Sequence, residues 1–245
     1  MGNVSLEKAY LYEKCRLPYA PEAVDSLLEK IGHVDFVADI GSGTGQLARL
    51  FAGRCQKVYA VEPDASMRQV AQEVLSGSPA AKVVDAAAEE TTLASDSIDL
   101  IVIGNAFHRF RPEACEELRR ILREAGWVAL FSYSFPNKPF TDMLFSKLST
   151  LENSVGRTKT NWPRTPTEKL FGDCKTRTLS YGQSATEDWQ TFFGAACAGI
   201  EAPERNEEDF PRFEEINREV FDAFSENGQI RIDYETRVQF GQPKV

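Results

Sequence analysis

Short apolar runs alternate with amphipathic patterns of helical period between residues 36 and 133. Five of these runs have the length and composition of strands: Phe36–Ile40, Lys57–Glu62, Ala81–Asp85, Ile98–Gly104 and Trp127–Tyr133. The fourth run is apolar without interruption, which is typical of a strand buried on both faces of a parallel sheet. Strands that alternate with helices in this way predict a parallel sheet joined by right-handed crossovers.

The alternation of strands and helices stops after Pro136. Prolines and short helical patterns follow, which predicts an insertion over residues 136–173, and the stretches Lys175–Tyr181 and Ile230–Phe240 then resume as strands. We expect one domain over residues 1–245, with its core in residues 1–135 and about 174–245. The predicted fold is Rossmann-like α/β: a seven-stranded, mostly parallel sheet with helices on both faces and a helical lid formed by the insertion.

The charge balance bears on the kind of partner. The chain holds 28 basic and 37 acidic residues, for a formal net charge of −9. Nucleic-acid binding depends on a concentrated positive surface, and the sequence shows no such cluster. No apolar run has the ~18–20 residues that cross a bilayer. We therefore expect a small-molecule substrate rather than nucleic acid or a membrane, and the sequence does not indicate an oligomeric state.

The cysteines and histidines bear on metals and on the cellular compartment. The five cysteines (15, 55, 115, 174 and 197) form no C-x-x-C pair, and the chain has two histidines. Zinc sites and disulfide frameworks usually show paired spacings, so no metal site is expected. Cysteines without such pairing are typical of a reducing compartment, which favours a cytoplasmic protein.

The strongest chemical signal is the segment Asp39–Gly45, which ends the first predicted strand. In an open α/β sheet, ligands bind at the carboxyl ends of the strands, where the first loop must let the backbone approach the ligand. Gly41, Gly43 and Gly45 permit that approach because they have no Cβ. The helix that follows directs its free amides into the same crevice.

Two kinds of nucleotide cofactor compete for such a loop. Dinucleotide binding favours G-x-G-x-x-G, but Gln46 stands where the last glycine would be required. Glu62, at the end of the second predicted strand, is placed to accept both hydroxyls of a ribose, a role shared by NAD and S-adenosylmethionine enzymes. The glycine spacing favours the methyl donor, and an NAD-dependent oxidoreductase remains the alternative.

Several segments resemble class I S-adenosylmethionine-dependent methyltransferases of the small-molecule, methyltransferase type 11-like subgroup. Asp39–Gly45 is similar to their first motif, and Val61–Asp64 with Met67 is similar to their second. Ala88–Glu89 with Asp96–Ile101 resembles the family's "A-E…S-F-D-L-V" stretch, with Ile98 at the phenylalanine position. Asn105–Phe110 resembles "Q-A-L-H-W-F", and Arg16–Pro21 resembles "R-P-P-Y-P-P". The resemblance covers residues 10–133 well and the last strand loosely.

The resemblance implies which residues hold the donor, S-adenosylmethionine: Asp39, Gly41, Ser42, Gly43, Gly45, Glu62, Met67, Ala88, Glu89 and Asn105. Asp39 and the glycine loop would contact its amino-acid end, and Glu62 would hold the ribose. Asp64 or Met67 would flank the adenine, and Ala88 with Glu89 would meet the adenine edge.

Methyl transfer itself requires little beyond alignment of the acceptor and exclusion of water. His108 is the candidate general base, because imidazole titrates near neutral pH. Tyr133 at the end of the fifth strand is a second candidate. The resemblance places Tyr12, Arg16 and Tyr19 in a segment that closes over the donor and contacts donor or substrate.

The sequence thus predicts transfer of a methyl group to an oxygen, nitrogen or carbon of a small metabolite, with S-adenosylhomocysteine as product. A protein that binds the donor but has lost turnover remains a further alternative. Aromatic residues that could line the acceptor pocket are Phe140, Phe145, Trp162, Phe171, Trp189, Phe192 and Phe193.

Overall fold

The computed structural model describes residues 4–151, 164–199 and 202–243. Its helices are α1 (Leu6–Cys15), α2 (Pro21–Ile31), α3 (Gln46–Phe51), α4 (Ala65–Leu75), α5 (Ala114–Ile121), α6 (Lys138–Leu148), α7 (Thr167–Phe171), α8 (Trp189–Cys197) and α9 (Phe210–Phe224). Its strands are β1 (Phe36–Ile40), β2 (Lys57–Val61), β3 (Ala81–Val84), β4 (Ile98–Gly104), β5 (Leu122–Ser134), β6 (Arg177–Asp188), β7 (Ser225–Glu226) and β8 (Gln229–Gly241).

The strands form one mixed sheet in the order β3-β2-β1-β4-β5-β8-β6, with the two-residue β7 paired to β8. The first five strands are parallel to one another, whereas β8 runs antiparallel to both β5 and β6. The Rossmann-like α/β class expected from the sequence is confirmed. The strand count differs, because β7 adds a short eighth strand to the seven that were predicted.

Alternating side chains of the central strands supply two cores. On one face, Val37 and Leu100 pack with helices α2 and α3. On the other face, Ala38 and Ile101 pack with α5 and α7. Strand β4 is buried on both faces, as its uninterrupted apolar run predicted, and its carboxyl end therefore lies at a rigid place in the sheet.

A helical layer covers part of the sheet's carboxyl edge. Helix α6 packs on α9, α9 packs on α8, and α8 packs on the N-terminal helix α1. Phenylalanine and tryptophan side chains fill this layer, which has its own apolar clusters. The layer thus combines α6, from the predicted insertion, with two helices that follow β6.

Helix α1 connects this layer to the main sheet. Ser5 caps its first turn through a hydrogen bond from the Lys8 amide, and the helix also packs on α4 through Ala9, Met67 and Val70. None of the helices in residues 4–151, 164–199 and 202–243 combines the length and apolar character needed to cross a membrane.

Candidate cofactor and acceptor site

The bend after β1 lies at the carboxyl edge of the sheet. Gly41, Gly43 and Gly45 have φ values of +70°, +57° and +84°, a region that glycine enters at low cost. The amides of Gly41 and Ser42 donate to the Val61 carbonyl at 2.8 and 3.1 Å, which holds the bend against the end of β2. A Cβ on Gly41 would lie 2.7 Å from the Cβ of Ala106, so close packing requires glycine there.

Glu62 follows β2, and its carboxylate reaches the bend. The Gly43 amide donates to Oε2 at 2.8 Å and the Asp64 amide donates to Oε1 at 2.9 Å. The residue is 8% exposed, and burial raises its pKa. Since a carboxylate accepts about four hydrogen bonds, it keeps acceptor capacity for hydroxyl groups of a ligand.

Asp39 lies beneath the same bend. Its Oδ2 accepts a hydrogen bond of 2.9 Å from the Ala48 amide, in the first turn of α3. The residue is 1% exposed, and burial raises its pKa to about 8. The carboxyl group thus braces the loop with one oxygen and is readily kept neutral when no cation is near.

Three buried side-chain atoms in the described part of the chain have no hydrogen-bond partner: Oδ1 of Asp39, Oγ of Ser42 and Nε of Arg16. All three belong to residues that the sequence predicted for the site. Buried polar atoms without partners are uncommon, because each has lost its water without compensation. The three together indicate a place that receives a polar ligand.

Asn105 and Tyr19 join the end of β4 to the N-terminal segment. Asn105 adopts φ +51°, and its Nδ2 donates to the Tyr19 hydroxyl at 2.8 Å. The Tyr19 ring stacks on the Tyr133 ring with 4.8 Å between centroids. Burial raises the pKa of both phenols, so both stay protonated near neutral pH.

Arg16 lies over two aromatic rings at the border of the crevice. Its Cζ is 5.1 Å from the ring centroids of Tyr12 and Tyr133. The Tyr133 hydroxyl donates to the Leu17 carbonyl, which anchors the segment that carries Arg16. In this arrangement Tyr133 positions the N-terminal segment, and its predicted catalytic role stays a prediction.

A contact that the sequence did not indicate fixes α1 on the bend. The Thr44 hydroxyl donates to Oε2 of Glu13 at 2.6 Å, and Arg49 donates to Oε1 at 3.1 Å. A Cβ on Gly43 would meet the Tyr12 ring at 4.0 Å. Helix α1 therefore lies over the glycine bend, and the predicted contact of Tyr12 with donor or substrate stays a prediction.

The residues predicted near the adenine have other partners as well. Asp64 caps α4 through the amides of Ser66 and Met67, and its other oxygen accepts from the Val4 amide. Met67 is buried in the cluster between α4 and α1. The Glu89 carboxylate accepts from the Arg111 amide at 2.8 Å.

Ala88 is buried in the apolar cluster that contains Val61 and Phe107. These contacts account for the packing at the adenine end, and the predicted contacts of Met67, Ala88 and Glu89 with a cofactor stay predictions.

His108 lies in a short 3-10 turn, Phe107–Arg109, just beyond β4. Burial, followed by the charges of Arg109, Arg164 and Arg16, lowers the pKa of the imidazole to about 4. The ring is therefore neutral at physiological pH and has a nitrogen lone pair available, although it is a weak base.

The predicted pocket aromatics separate into different environments. Phe140 and Phe192 pack together in one cluster of the helical layer, and Phe193 stacks on Trp189 with 4.8 Å between centroids. Phe171 lies in the core on the other side of the sheet, and Phe145 is 64% exposed. Trp162 lies outside the described residues.

Comparison with known protein families identifies the central part of the chain. Residues 38–130, from β1 into β5, match the family described as "Methyltransferase domain". This central part of the chain is similar to a methyltransferase domain. The match contains the glycine bend, Glu62, Asn105 and His108.

Curated relatives share this domain with the chain. An uncharacterized methyltransferase of Mycobacterium tuberculosis is 35% identical over 120 residues, which cover 49% of this chain and 47% of the relative. A putative methyltransferase of Dictyostelium discoideum is 35% identical over 100 residues, covering 40% of this chain and 36% of the relative. The chain thus spans about half, or less, of the length of the curated relatives it matches.

Solved structures extend the similarity in fold to nearly the whole chain. A putative type II methyltransferase from Anaeromyxobacter dehalogenans has a TM-score of 0.63 at 18% identity, and the match covers 94% of this chain and 97% of the other. A methyltransferase from Geobacter sulfurreducens, solved in complex with S-adenosylhomocysteine, has a TM-score of 0.54 at 12% identity and matches along 100% of both chains. The Rossmann-like α/β fold predicted from the sequence is thus shared with these solved structures.

Proposed function

We propose that this methyltransferase domain binds S-adenosylmethionine in the crevice between the glycine bend and Glu62 and transfers its methyl group to a small molecule. The observation that carries the proposal is the 2.8 Å hydrogen bond between the Gly43 amide and the Glu62 carboxylate. It joins a loop without side chains to a buried acid after the next strand, and these two features together suit a nucleoside with an attached amino acid.

The residues of the crevice fit the donor. The remaining acceptor capacity of Glu62 suits the two ribose hydroxyls. The unpartnered Oδ1 of Asp39 and Oγ of Ser42 suit the ammonium and carboxylate of the amino-acid end. A cationic ammonium beside Asp39 would also stabilise its ionised form, which the buried site otherwise disfavours.

When bound, the donor supplies a methyl group on a positively charged sulfur. In the transfer, a lone pair of the acceptor forms a bond to the methyl carbon, the carbon–sulfur bond breaks, and its electron pair stays on sulfur. The chain's own residues orient the partners and exclude water. Asn105 and Tyr19 form one wall of the crevice, and Tyr12 on α1 covers the glycine bend.

A proton must leave only when the acceptor atom is protonated. His108, neutral near pH 7 because its pKa is lowered to about 4, can accept a hydrogen bond from such an acceptor and orient it. This role favours an acceptor that needs little help from a base. A small metabolite as acceptor agrees with the acidic composition of the chain, and a cytoplasmic setting agrees with its five cysteines, which form no C-x-x-C pair.

Calorimetry with S-adenosylhomocysteine tests donor binding. We expect binding in the micromolar range, lost on Glu62→Ala and retained on Glu22→Ala, which changes an exposed acid in the first turn of α2. Absence of binding at millimolar ligand would overturn the proposal. A fluorescence titration with NADH is the matched experiment, and NADH binding without S-adenosylhomocysteine binding would favour the oxidoreductase alternative.

Turnover requires its own measurement. Methyl-tritiated donor, incubated with the protein and a metabolite extract, should label a small organic product that the Glu62→Ala variant does not label. Donor binding without any labelled product across extracts would instead favour a binding protein that has lost turnover.

A further inference from the structure

Three arginines from separate parts of the chain carry charges that lower the pKa of His108. Arg16 comes from the N-terminal segment and Arg109 from the turn after β4. Arg164 follows the insertion, at a place fixed by the Thr165 hydroxyl, which donates to the Phe110 carbonyl at 3.0 Å. Their charges all act on the His108 imidazole. This concentration of cations is notable in a chain with a net charge of −9.

Two of these arginines have no carboxylate partner among the residues that the structure describes. Within residues 4–151, 164–199 and 202–243, neither Arg16 nor Arg109 takes part in an ion pair. Arg111, two residues further on, pairs with Glu89 at 3.6 Å. Both Arg16 and Arg109 are half-buried, and a half-buried cation without a counter-ion is costly.

The geometry of Arg16 indicates the shape of the missing partner. Its guanidinium lies over the rings of Tyr12 and Tyr133, with Cζ 5.1 Å from each centroid, while its buried Nε has no hydrogen-bond partner. Stacking uses the face of the guanidinium and leaves the Nε–H edge for an acceptor. Two neighbouring N–H groups of that planar edge match the two oxygens of a carboxylate.

We propose that Arg16 and Arg109 form an anion subsite beside His108 that binds a carboxylate of the methyl acceptor, so that the acceptor is a small carboxylic acid. This inference rests on the proposed function, since it assigns the substrate class of the same crevice. The donor's own carboxylate is the competing partner for Arg16, and the test must occupy the donor site first.

The experiment uses the full chain saturated with S-adenosylhomocysteine and titrates it with succinate or with succinamide, its neutral analogue. Arginine Nε–H signals are followed by nitrogen-15 NMR, with the Arg16 signal assigned by its loss in Arg16→Lys. We expect succinate to shift the Arg16 signal and to saturate, and succinamide to leave it unchanged. Inorganic phosphate, which is tetrahedral, should bind more weakly than succinate.

Two variants make the assignment specific. Arg109→Gln should weaken succinate binding about tenfold or more, because it removes a charge-assisted interaction. Arg54→Gln, which changes an arginine paired with Asp25 between α3 and α2, should leave it unchanged. Affinity for S-adenosylhomocysteine should stay within about twofold in Arg109→Gln.

The results separate the two proposals. If S-adenosylhomocysteine itself does not bind, the proposed function fails. If it binds but succinate does not shift the Arg16 signal, if phosphate binds more tightly than succinate, or if Arg109→Gln binds succinate as well as the parent does, the donor site stands and the carboxylate subsite is overturned.

Discussion

The hydroxyl of Thr44 donates a hydrogen bond of 2.6 Å to the Glu13 carboxylate. Thr44 is fully buried within the glycine bend, and Glu13 is on α1. This contact therefore joins helix α1 to the glycine bend beneath it. Tyr12, which lies over the glycine bend, is on the same helix as Glu13.

Removing the Thr44 hydroxyl should therefore loosen α1. Thr44→Val keeps the side-chain shape but removes one hydrogen bond to a charged group, which contributes about 1 kcal/mol or more. We expect the amides of Leu6–Cys15 to exchange with solvent at least about fivefold faster, with a similar increase in the dissociation rate of S-adenosylhomocysteine. Hydrogen exchange and stopped-flow displacement measure the two effects.

Thr178→Val is the matched control for that change, because Thr178 is exposed on the edge strand β6. If hydrogen exchange of the α1 amides is unchanged in Thr44→Val, or increases equally in both variants, the contact does not hold α1 on the glycine bend.

Gly43 and Gly53 permit a test of the bend that separates binding from stability. Both have positive φ, +57° and +94°, so an alanine at either position costs about 1 kcal/mol of backbone strain. A Cβ at position 53 enters open space, whereas one at position 43 faces the underside of Tyr12. Gly43→Ala should weaken S-adenosylhomocysteine binding at least about tenfold, and Gly53→Ala should not change it.

Urea unfolding of both glycine variants supplies the control. A similar loss of stability in the two variants, with a loss of affinity in one, would assign the effect to the crevice. Equal affinities would contradict a close approach of the ligand to the backbone at Gly43.

Local patterns predicted the part of the fold that holds the crevice. The strand β1, its glycine bend and the acid after β2 all lie within residues 36–62, and each follows from residue types within a few positions. Strand β5 begins at Leu122 rather than Trp127. The added stretch contains Ala125 at φ +61°, and the pairing of β5 with β4 shifts register between Ile98 and Leu100, so this part of the strand is irregular. Strand β7 has two residues, too few for any periodic pattern.

Contacts between distant segments had no local signal. Glu13 is one acid on a helix whose sequence reveals nothing of its partner in the glycine bend. Asp64 did carry a recognisable signal, since an aspartate immediately before a helix is a common N-cap, and the structure shows it in that role. The predicted alternative for Asp64, contact with adenine, must compete with three backbone amides.

Burial of Asp39 should make the stability of the ligand-free protein depend on pH. Its pKa is about 8 in the folded chain and about 3.9 when unfolded. Between these values the folded state binds more protons than the unfolded state, so the contribution of Asp39 to stability falls as pH rises from about 4 to about 8. Asp39→Asn removes this cost and should be more stable than the parent at pH 8, by at least about 1 kcal/mol.

Urea unfolding at pH 5 and pH 8 measures the Asp39 effect as a difference between parent and variant, which cancels other titrating groups. The advantage of Asp39→Asn should be larger at pH 8 than at pH 5, while its affinity for S-adenosylmethionine should fall. An advantage that shrinks as pH rises would mean that Asp39 is ionised in the folded chain and has found a cationic partner.

His108 should produce a pH dependence of the opposite sign. Its pKa is lowered to about 4 in the folded chain by burial and by Arg109, Arg164 and Arg16, against about 6.5 when unfolded. Between these values the unfolded state binds the extra proton. The contribution of His108 to the free energy of unfolding is therefore fully present above about pH 6.5 and is lost as pH falls towards 4. His108→Asn should therefore gain about 1 kcal/mol relative to the parent between pH 7.5 and pH 5, a figure reduced for solvent screening of a half-buried ring. If the difference in free energy of unfolding between His108→Asn and the parent is the same at pH 7.5 and at pH 5, the pKa of His108 is not lowered in the folded chain. The charges of the arginines then do not act on the imidazole, and the proposed anion subsite loses that support.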